Sequence, residues 1–358
     1  MKYLMALLLI SCSCYSFAQS DADRERALTL AREAITLMDD GEYEPSLKLL
    51  REAEQLDPDN ATYPYEIGYA YYLQKDYKSA IKVMKKALKV GKRAPQMYSI
   101  VGNSYDYLGK QKKAVKIYEE GIKRYPESAI FHVELGILHY RQQDYNTAAA
   151  YWEAGIRADP NYPSNYFHLT SLFSNTDEHI WTVLYGEMFL NLEAGSERTE
   201  MISSLVCNAY RKAIQLEGDT TRIAFSRNVT MSISDFTDLK LPAPLMFGTT
   251  MEIATTVIAG GEELNCTTLH KLRSSFLTSW YEMGHNVTYP NPAIERMKAV
   301  ADAGHLEPYN YYIVGEGDRV GWEFWVDSHK EEFSAFVEWF VANPLKVEKD
   351  KAFTRSSF

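Results

Sequence analysis

The sequence lacks the motifs by which most enzyme families are identified. Its 358 residues contain no H-E-x-x-H, no G-x-S-x-G, no phosphate-binding loop of the Walker type and no C-x-x-C. Four histidines, His270, His285, His305 and His329, are scattered through the second half without the spacing of metal ligands on one helix. We therefore expect no catalytic residues, no metal and no cofactor.

The sequence also has no long apolar run, and it is not basic overall. A helix needs about 20 consecutive apolar residues to cross a bilayer, and no segment provides them. The formal net charge is -10, and no nucleic-acid-binding motif is present, which argues against a nucleic-acid partner. We expect a soluble mature protein, tethered at its start or not at all.

Residues 1–18 have the parts of a secretory signal peptide. A lysine comes first, residues 4–10 form a short apolar run, and small residues follow up to a cleavage site after Ala18. This arrangement predicts export, to a periplasm or to the medium. The letters L-I-S-C that end at Cys12 also resemble a bacterial lipobox, whose use would instead anchor the chain to a membrane through a lipid.

Cysteine is scarce in the rest of the chain. Cys207 and Cys266 are the only two that follow the predicted signal peptide. An even pair in an exported protein can form a disulfide. Two separate buried thiols fit the sequence equally well, so both alternatives stay open.

A unit of about 34 residues recurs along the first half of the chain. In the copy that starts at Ala129, Gly136 stands at position eight, Trp152 at position twenty-four and Pro160 at position thirty-two. Proline ends a helix there because it has no N–H to donate and clashes with the preceding turn. Earlier copies in the same register start at Ala27, Ala61 and Pro95.

This pattern resembles the tetratricopeptide repeat (TPR), a pair of short helices packed where small residues let their backbones approach. The resemblance implies a mostly α protein, with a TPR helical-hairpin solenoid over residues 25–194. Four repeats are clear, and a fifth from Pro163 is degenerate, with Thr170 in place of the small glycine and Gly186 in place of an aromatic residue.

The repeat period disappears after residue 194. We expect a largely helical C-terminal domain over 195–345 that closes the repeat array, and a frayed tail over 346–358. Alternation over residues 221–234 predicts a strand, with 311–314 as its weaker partner. Helices are predicted at 198–216, 245–259, 266–283, 292–303 and 328–342.

TPR proteins bind peptides or protein segments in a concave groove lined by the first helix of each repeat. The resemblance therefore implies partner-binding residues at positions two, five, nine and twelve. Those we select are Tyr65, Tyr69, Tyr72, Asn103, Asp106 and Tyr140. The lysine at position five that clamps a C-terminal carboxylate in some TPR proteins is absent. Tyr65, Tyr69 and Tyr72 form a stripe on one helix face, and packing between repeats is the alternative role of this stripe.

A second candidate surface is basic. Residues 75–124 contain fourteen Lys and Arg residues against four acids. These cations either form a solvated face or contact an anionic surface such as lipopolysaccharide or phospholipid headgroups. The lysines proposed for that contact are Lys82, Lys85, Lys86, Lys89, Lys112, Lys113 and Lys116.

Two functional hypotheses follow from the sequence. The first is an exported TPR scaffold that mediates protein–protein interaction through its concave groove, with a segment of another envelope or secreted protein as its partner. The alternative is a ligand-binding or hydrolytic activity in the C-terminal domain, with the TPR array as a docking arm. A cleft that gathers His285, His305 or His329 with acids would favour the alternative.

Overall fold

The structure, a computed structural model, is built almost entirely of helices. It describes residues 2–89, 91, 94–217, 220–227, 241–258 and 262–358. The chain divides into two compact units, a first unit of Met1–Leu135 and a second unit of Gly136–Phe358. In the described parts of the chain, no helix combines the length and apolar character that crossing a bilayer requires.

The first unit consists of helices that pack in consecutive pairs. They are α1 (Lys2–Asp39), α2 (Tyr43–Leu56), α3 (Thr62–Leu73), α4 (Tyr77–Lys89), α5 (Pro95–Tyr107), α6 (Gln111–Arg124) and the start of α7 (Ile130–Arg141). Each pair is one predicted repeat, and the second helix begins at position seventeen in every case. The mostly α solenoid predicted from the sequence is confirmed here.

The turn inside each repeat has a left-handed residue at position fifteen. Gly41 and Gly109 occupy it with φ of 81° and 69°, while Lys75 and Gln143 adopt φ of 62° and 63°. Glycine enters this region without steric cost, and other residues do so at about 1–2 kcal/mol. The same backbone conformation therefore recurs at one position in four repeats although two of them lack glycine.

Position eight is small because position twenty-four lies against it. A Cβ at Gly102 would lie 2.1 Å from Cε1 of Tyr118, and one at Gly136 would lie 2.1 Å from Nε1 of Trp152. Neither ring can withdraw, since both side chains are buried. The repeat spacing read from the sequence is thus a steric requirement of the two packed helices.

The fifth repeat exchanges the sizes at these two positions. A Cβ at Gly186 would lie 3.3 Å from Cγ2 of Thr170, and 2.4 Å from Cγ2 of Val206 on the following helix. The small residue has moved from the first helix of the pair to the second. Close packing is kept, and the helix that carries Val206 occupies the space beside it.

The second unit contains the remaining elements. They are α8 (Tyr145–Ala158), α9 (Pro163–Phe173), α10 (His179–Leu192), α11 (Glu197–Ala213), β1 (Ile214–Glu217), β2 (Thr220–Ile223), α12 (Ala243–Ala254), α13 (Cys266–Glu282), α14 (His285–Thr288), α15 (Pro292–Asp302), α16 (Leu306–Val314), α17 (Arg319–Ser328) and α18 (Lys330–Ala342). One continuous hydrophobic core joins them, from Ala148 to Phe353. The predicted domain limit at residue 194 falls inside this unit, where α11 packs on α9 and α10.

The predicted strand has a different partner from the one expected. β1 and β2 form an antiparallel hairpin in which Ile214 lies opposite Ile223, so the helix predicted over 198–216 ends at Ala213. Residues 311–314, the expected partner, belong to α16 instead. β1 ends three residues before β2 begins, so the pairing of these two strands closes a far shorter loop than pairing with residues 311–314 would. Residues 228–234 of the predicted strand lie outside the described residues.

The C-terminal tail is packed, and the prediction that it frays was wrong. The side chain of Asn161 donates to the carbonyl of Val347 at 2.9 Å and accepts from its N–H at 2.8 Å. Phe353 is 2% exposed, and Nε of Arg355 donates to Oε1 of the buried Glu153 at 2.6 Å. Apolar burial and a charge-assisted bond therefore offset the loss of chain entropy.

A buried ion pair lies in the core of the second unit. Arg273 of α13 and Glu187 of α10 are 0% and 2% exposed, and the guanidinium donates to both carboxylate oxygens at 2.8 and 3.1 Å. Arg273 also donates to Tyr210 and Asn310, and the hydroxyl of Tyr309 donates to Glu187 at 2.9 Å. These bonds satisfy the two charges away from water.

Candidate partner-binding surface

Five tyrosines of the first unit form one group of contacting rings, which we call the tyrosine surface: Tyr65, Tyr69, Tyr72, Tyr77 and Tyr107. The first three follow one face of α3, with successive ring centroids 6.1 and 6.4 Å apart and nearly parallel. Tyr72 contacts Tyr77 at 5.8 Å and Tyr107 at 6.0 Å, and these two stack at 4.9 Å. Rings from three helices are thereby joined.

The tyrosine surface is partly buried and partly open. Tyr65, Tyr69 and Tyr72 pack against the core around Met84 and are half-buried, whereas Tyr107 is 60% exposed. Both roles considered for the stripe, packing and binding, are thus compatible with its geometry. Burial raises the pKa of Tyr65 and of Tyr72, so that their hydroxyls stay protonated and able to donate at neutral pH.

Asn103 holds a carboxylate beside the tyrosine surface. Its amide donates to Oε1 of Glu134 at 2.9 Å, and the hydroxyl of Ser99 donates to the same oxygen at 3.3 Å. The amide oxygen of Asn103 accepts from the hydroxyl of Tyr118. Glu134 is close enough to Tyr72 for its charge to raise the pKa of that phenol, after burial and other tyrosines.

Two further predicted residues lie apart from this group. Asp106 is half-buried at the end of α5, next in sequence to Tyr107. Tyr140 belongs to the second unit, is 42% exposed, and contacts Tyr145 and Trp152 with ring centroids 5.3 and 6.0 Å away. Five of the six predicted residues therefore belong to the first unit, and Tyr140 belongs to the second.

Sequence reasoning missed Tyr77, Tyr107 and Glu134. Their repeat positions are seventeen, thirteen and six, which are outside the four positions used to select the groove. The sequence contained one weak signal for Glu134: Glu66 occupies the same position, six, in its own repeat. Three-dimensional packing of neighbouring helices was needed to place them together.

Charge is divided between the two helices of the repeats. The only charged residues of α3 and α5 are Glu66 and Asp106, and neither helix has a Lys or Arg. In contrast α4 has no acid and five lysines: Lys78, Lys82, Lys85, Lys86 and Lys89. The second helix α6 adds Lys112, Lys113, Lys116, Lys123 and Arg124 against two glutamates.

All seven lysines of the predicted anionic-surface contact are exposed. The ammonium groups of Lys85 and Lys113 lie 5.8 and 5.7 Å from the ring centroid of Tyr105. Two cations therefore flank one aromatic ring, an arrangement that cation–π attraction stabilises modestly at an exposed site. Contact of these lysines with an anionic surface stays a prediction.

Of the two alternatives left open for the cysteines, the structure has the two separate thiols. Cys207 and Cys266 are both free and buried, and each lies against the turn at Gly317 and Asp318. Burial raises the pKa of the Cys207 thiol to about 11. Both cysteines therefore act as small core residues with unreactive thiols.

The histidines of the second half do not converge. Each of three histidines packs on a different tryptophan: His285 on Trp280, His305 on Trp339 and His329 on Trp325. Over the described residues, no three His, Cys, Asp or Glu side chains come close enough to hold a metal ion. An open cleft of about 510 Å³ does exist in the second unit, and His179, Lys212, Arg222 and Arg227 line it.

Comparisons with known proteins agree with the repeat geometry. Family models described as "TPR repeat" or "Tetratricopeptide repeat" match residues 36–75, 63–90 and 102–163. None of the curated proteins matches the sequence.

Solved structures with a similar chain path include three TPR-containing proteins of low identity. PilF of Pseudomonas aeruginosa is 18% identical, with 53% of this chain and 85% of that chain covered and a TM-score of 0.43. A thermophilic TPR protein of Thermus thermophilus is 14% identical, with 50% and 98% covered and a TM-score of 0.42. PilW, a type IV pilus biogenesis factor, is 16% identical, with 52% and 85% covered and a TM-score of 0.41.

Three lines of observation agree on the first half of the chain: the recurring left-handed turn, the packing of position eight on position twenty-four, and the matched family models. No family model matches beyond residue 163 among those found, so the rest of the second unit is not assigned. The chain therefore contains tetratricopeptide repeats, which the family models match over residues 36–90 and 102–163.

Proposed function

We propose that this TPR protein is an exported scaffold whose first unit binds an extended segment of another protein on the tyrosine surface. The observation that carries the proposal is the group of five contacting tyrosines, whose most exposed member, Tyr107, is 60% exposed. Tyrosine combines a large apolar area with a hydroxyl and loses little conformational freedom on binding. A group of contacting rings loses still less, because its rings already restrain one another.

The surroundings of the tyrosine surface support binding rather than catalysis. Asn103 and Ser99 are engaged with Glu134, so these polar groups are held in one arrangement before a partner arrives. Preorganisation of this kind raises affinity because less ordering is needed on association. No nucleophile with an adjacent base is present among these residues, and a TPR array ordinarily serves as a binding scaffold.

The proposal is tested by chemical cross-linking of the protein in its native compartment, followed by mass spectrometry of the captured proteins. Tyr107→Ser is the informative variant, because its exposed ring contributes little to the core. Tyr145→Ser, which removes a 47% exposed tyrosine of the second unit, is the matched control. We expect a partner that the parent and the control capture and that the Tyr107 variant loses, with about a tenfold weaker Kd. Equal capture by all three proteins would refute the tyrosine surface as the binding site.

Export is a separate part of the proposal and has its own test. Intact mass and N-terminal sequencing of the protein recovered from an exporting host should give a chain that starts at Gln19. A lipid on Cys12 would instead indicate the anchored form, which Cys12→Ser would abolish. An unprocessed N-terminus would contradict both versions.

The cleft of the second unit keeps the alternative function open. Three cationic side chains line it, and Arg227 is paired with Asp177 at 2.7 Å. Buried His179 also lines it, and its Nδ1 has no hydrogen-bond partner. This composition favours binding of a small anion over hydrolysis. A thermal-shift series with phosphate, citrate and acetate, on the parent and on Lys212→Gln, would test it, and equal melting temperatures throughout would exclude it.

A further inference from the structure

The helices α3 and α5, which carry four of the five tyrosines of the tyrosine surface, bear only negative charges. α3 and α5 supply Glu66 and Asp106 and no Lys or Arg, and Glu134 follows on α7. The charge of Asp39 adds to that of Glu66: burial and this neighbour raise the pKa of the Glu66 carboxyl. The repulsion between the carboxylates of Glu66 and Asp39 is unfavourable in the free protein, and a cation bound nearby would reduce it.

Glu134 is a further acidic residue next to the tyrosine surface. Oε1 accepts from both Asn103 and Ser99, which fixes the orientation of the carboxylate. The side chain is half-buried beside Tyr72, so that solvent screens its charge less than at a fully exposed site. The π faces of the tyrosines present a second attraction for positive charge.

We propose that the segment bound on the tyrosine surface is basic, and that one of its arginines stacks on the tyrosine rings with its guanidinium paired to Glu134. This inference rests on the proposed function and names the chemistry of its partner. Arginine fits better than lysine because its planar group both stacks on aromatic rings and binds a carboxylate through two N–H groups. An acidic segment would instead bring like charges together at Glu66 and Glu134.

The basic second helices also bear on whether the bound segment is acidic or basic. The lysines of α4 and α6 would attract an acidic partner. Two of them, Lys85 and Lys113, flank Tyr105, which is not a member of the tyrosine surface. A basic segment is therefore steered away from α4 and α6 and toward the carboxylates of the first helices. The absent lysine clamp agrees, since Tyr65 and Ser99 occupy the positions that would bind a carboxylate.

The test starts from a display library of random dodecapeptides, selected on the full-length protein and counter-selected on Tyr107→Ser. We expect enrichment of arginine beside aromatic or apolar residues. The best peptide is then synthesised with arginine and with citrulline, which has the same shape without the charge. Citrulline should weaken binding about tenfold, as the loss of a pairing and a cation–π contact predicts.

A double-mutant cycle assigns the effect to Glu134. Glu134→Gln keeps an acceptor for Asn103 and Ser99 and removes the charge, and Glu119→Gln, an exposed acid of α6, is the matched control. Glu134→Gln should weaken the arginine peptide by about tenfold and leave the citrulline peptide unchanged. Equal affinity of the two peptides for the parent would overturn the inference while the proposed function survives. Failure to enrich any peptide over the Tyr107 variant would overturn the proposed function itself.

Discussion

The buried pair of Arg273 and Glu187 provides a quantitative test of how the second unit is held together. Arg273→Met keeps much of the side-chain volume but removes the bonds to Glu187, Tyr210 and Asn310. Glu187 would then be a carboxylate without a counter-ion, or it would have to take up a proton. Loss of one partner of a buried pair costs about 3–5 kcal/mol. The hydroxyl of Tyr309 still donates to Glu187, which favours the lower end of that range.

Tryptophan fluorescence during urea unfolding measures this loss selectively. All six tryptophans of the chain lie beyond Leu135, so their emission reports the second unit alone. The double variant Glu187→Leu/Arg273→Met removes both charges, and we expect it to recover most of the stability, because a buried pair often contributes little beyond an apolar replacement. Arg319→Met is the matched control, since that guanidinium is exposed and pairs with Glu323 on the surface.

Two results would refute the reasoning. If Arg273→Met lowers the free energy of unfolding by less than about 1 kcal/mol, water or a relaxed side chain must reach Glu187. If the double variant is no more stable than the single one, packing rather than charge sets the cost. A coupling free energy of about 2 kcal/mol or more between the two sites is the expected outcome.

Three further predictions concern the second unit. Deletion of residues 346–358 should lower its free energy of unfolding by about 3 kcal/mol or more, because it exposes buried apolar side chains, and urea unfolding measures this. Burial, aided by a nearby arginine, lowers the pKa of His168 from 6.5 to about 4. Since the unfolded chain binds the proton first, His168 should lower stability by up to about 3 kcal/mol as the pH falls from 6.5 to 4. His168→Phe should remove this share of the pH dependence, measured by the tryptophan fluorescence of the second unit, where His168 stacks on Trp152. Cys207 and Cys266 should react with a thiol reagent slowly in the native protein and rapidly in urea. The total should be two thiols per chain once residues 1–18, which contain the other two cysteines, have been removed. A processed chain that reveals none without a reductant would instead contain the disulfide.

The parts of the fold that follow from local spacing could be predicted from the sequence. A small residue at position eight and a bulky residue at position twenty-four are sixteen residues apart in every clear repeat, so Gly136 and Trp152 identify one packed pair. Tyr65, Tyr69 and Tyr72 share one face of a helix by their spacing alone. These features depend on interactions within one helix or between two consecutive helices, where sequence distance and spatial distance agree.

The parts that were missed depend on residues remote in sequence. The tail is fixed by Asn161 and Val347, which are 186 residues apart, and no local pattern indicates such a contact. Glu134 reaches Asn103 from the next repeat for the same reason. The fifth repeat was recognised only as degenerate, because its small residue, Gly186, lies on the second helix of the pair and Thr170 takes the place of glycine on the first.

The unequal distribution of charge in the first unit also has a kinetic consequence. With acids on the first helices α3 and α5 and lysines on the second helices α4 and α6, this half of the chain has a permanent electric moment across its repeats. Such a moment orients a charged partner during diffusion, before any contact forms. Association with this unit should therefore be faster at low ionic strength, whereas the lifetime of the complex, set by the tyrosine contacts, should change much less.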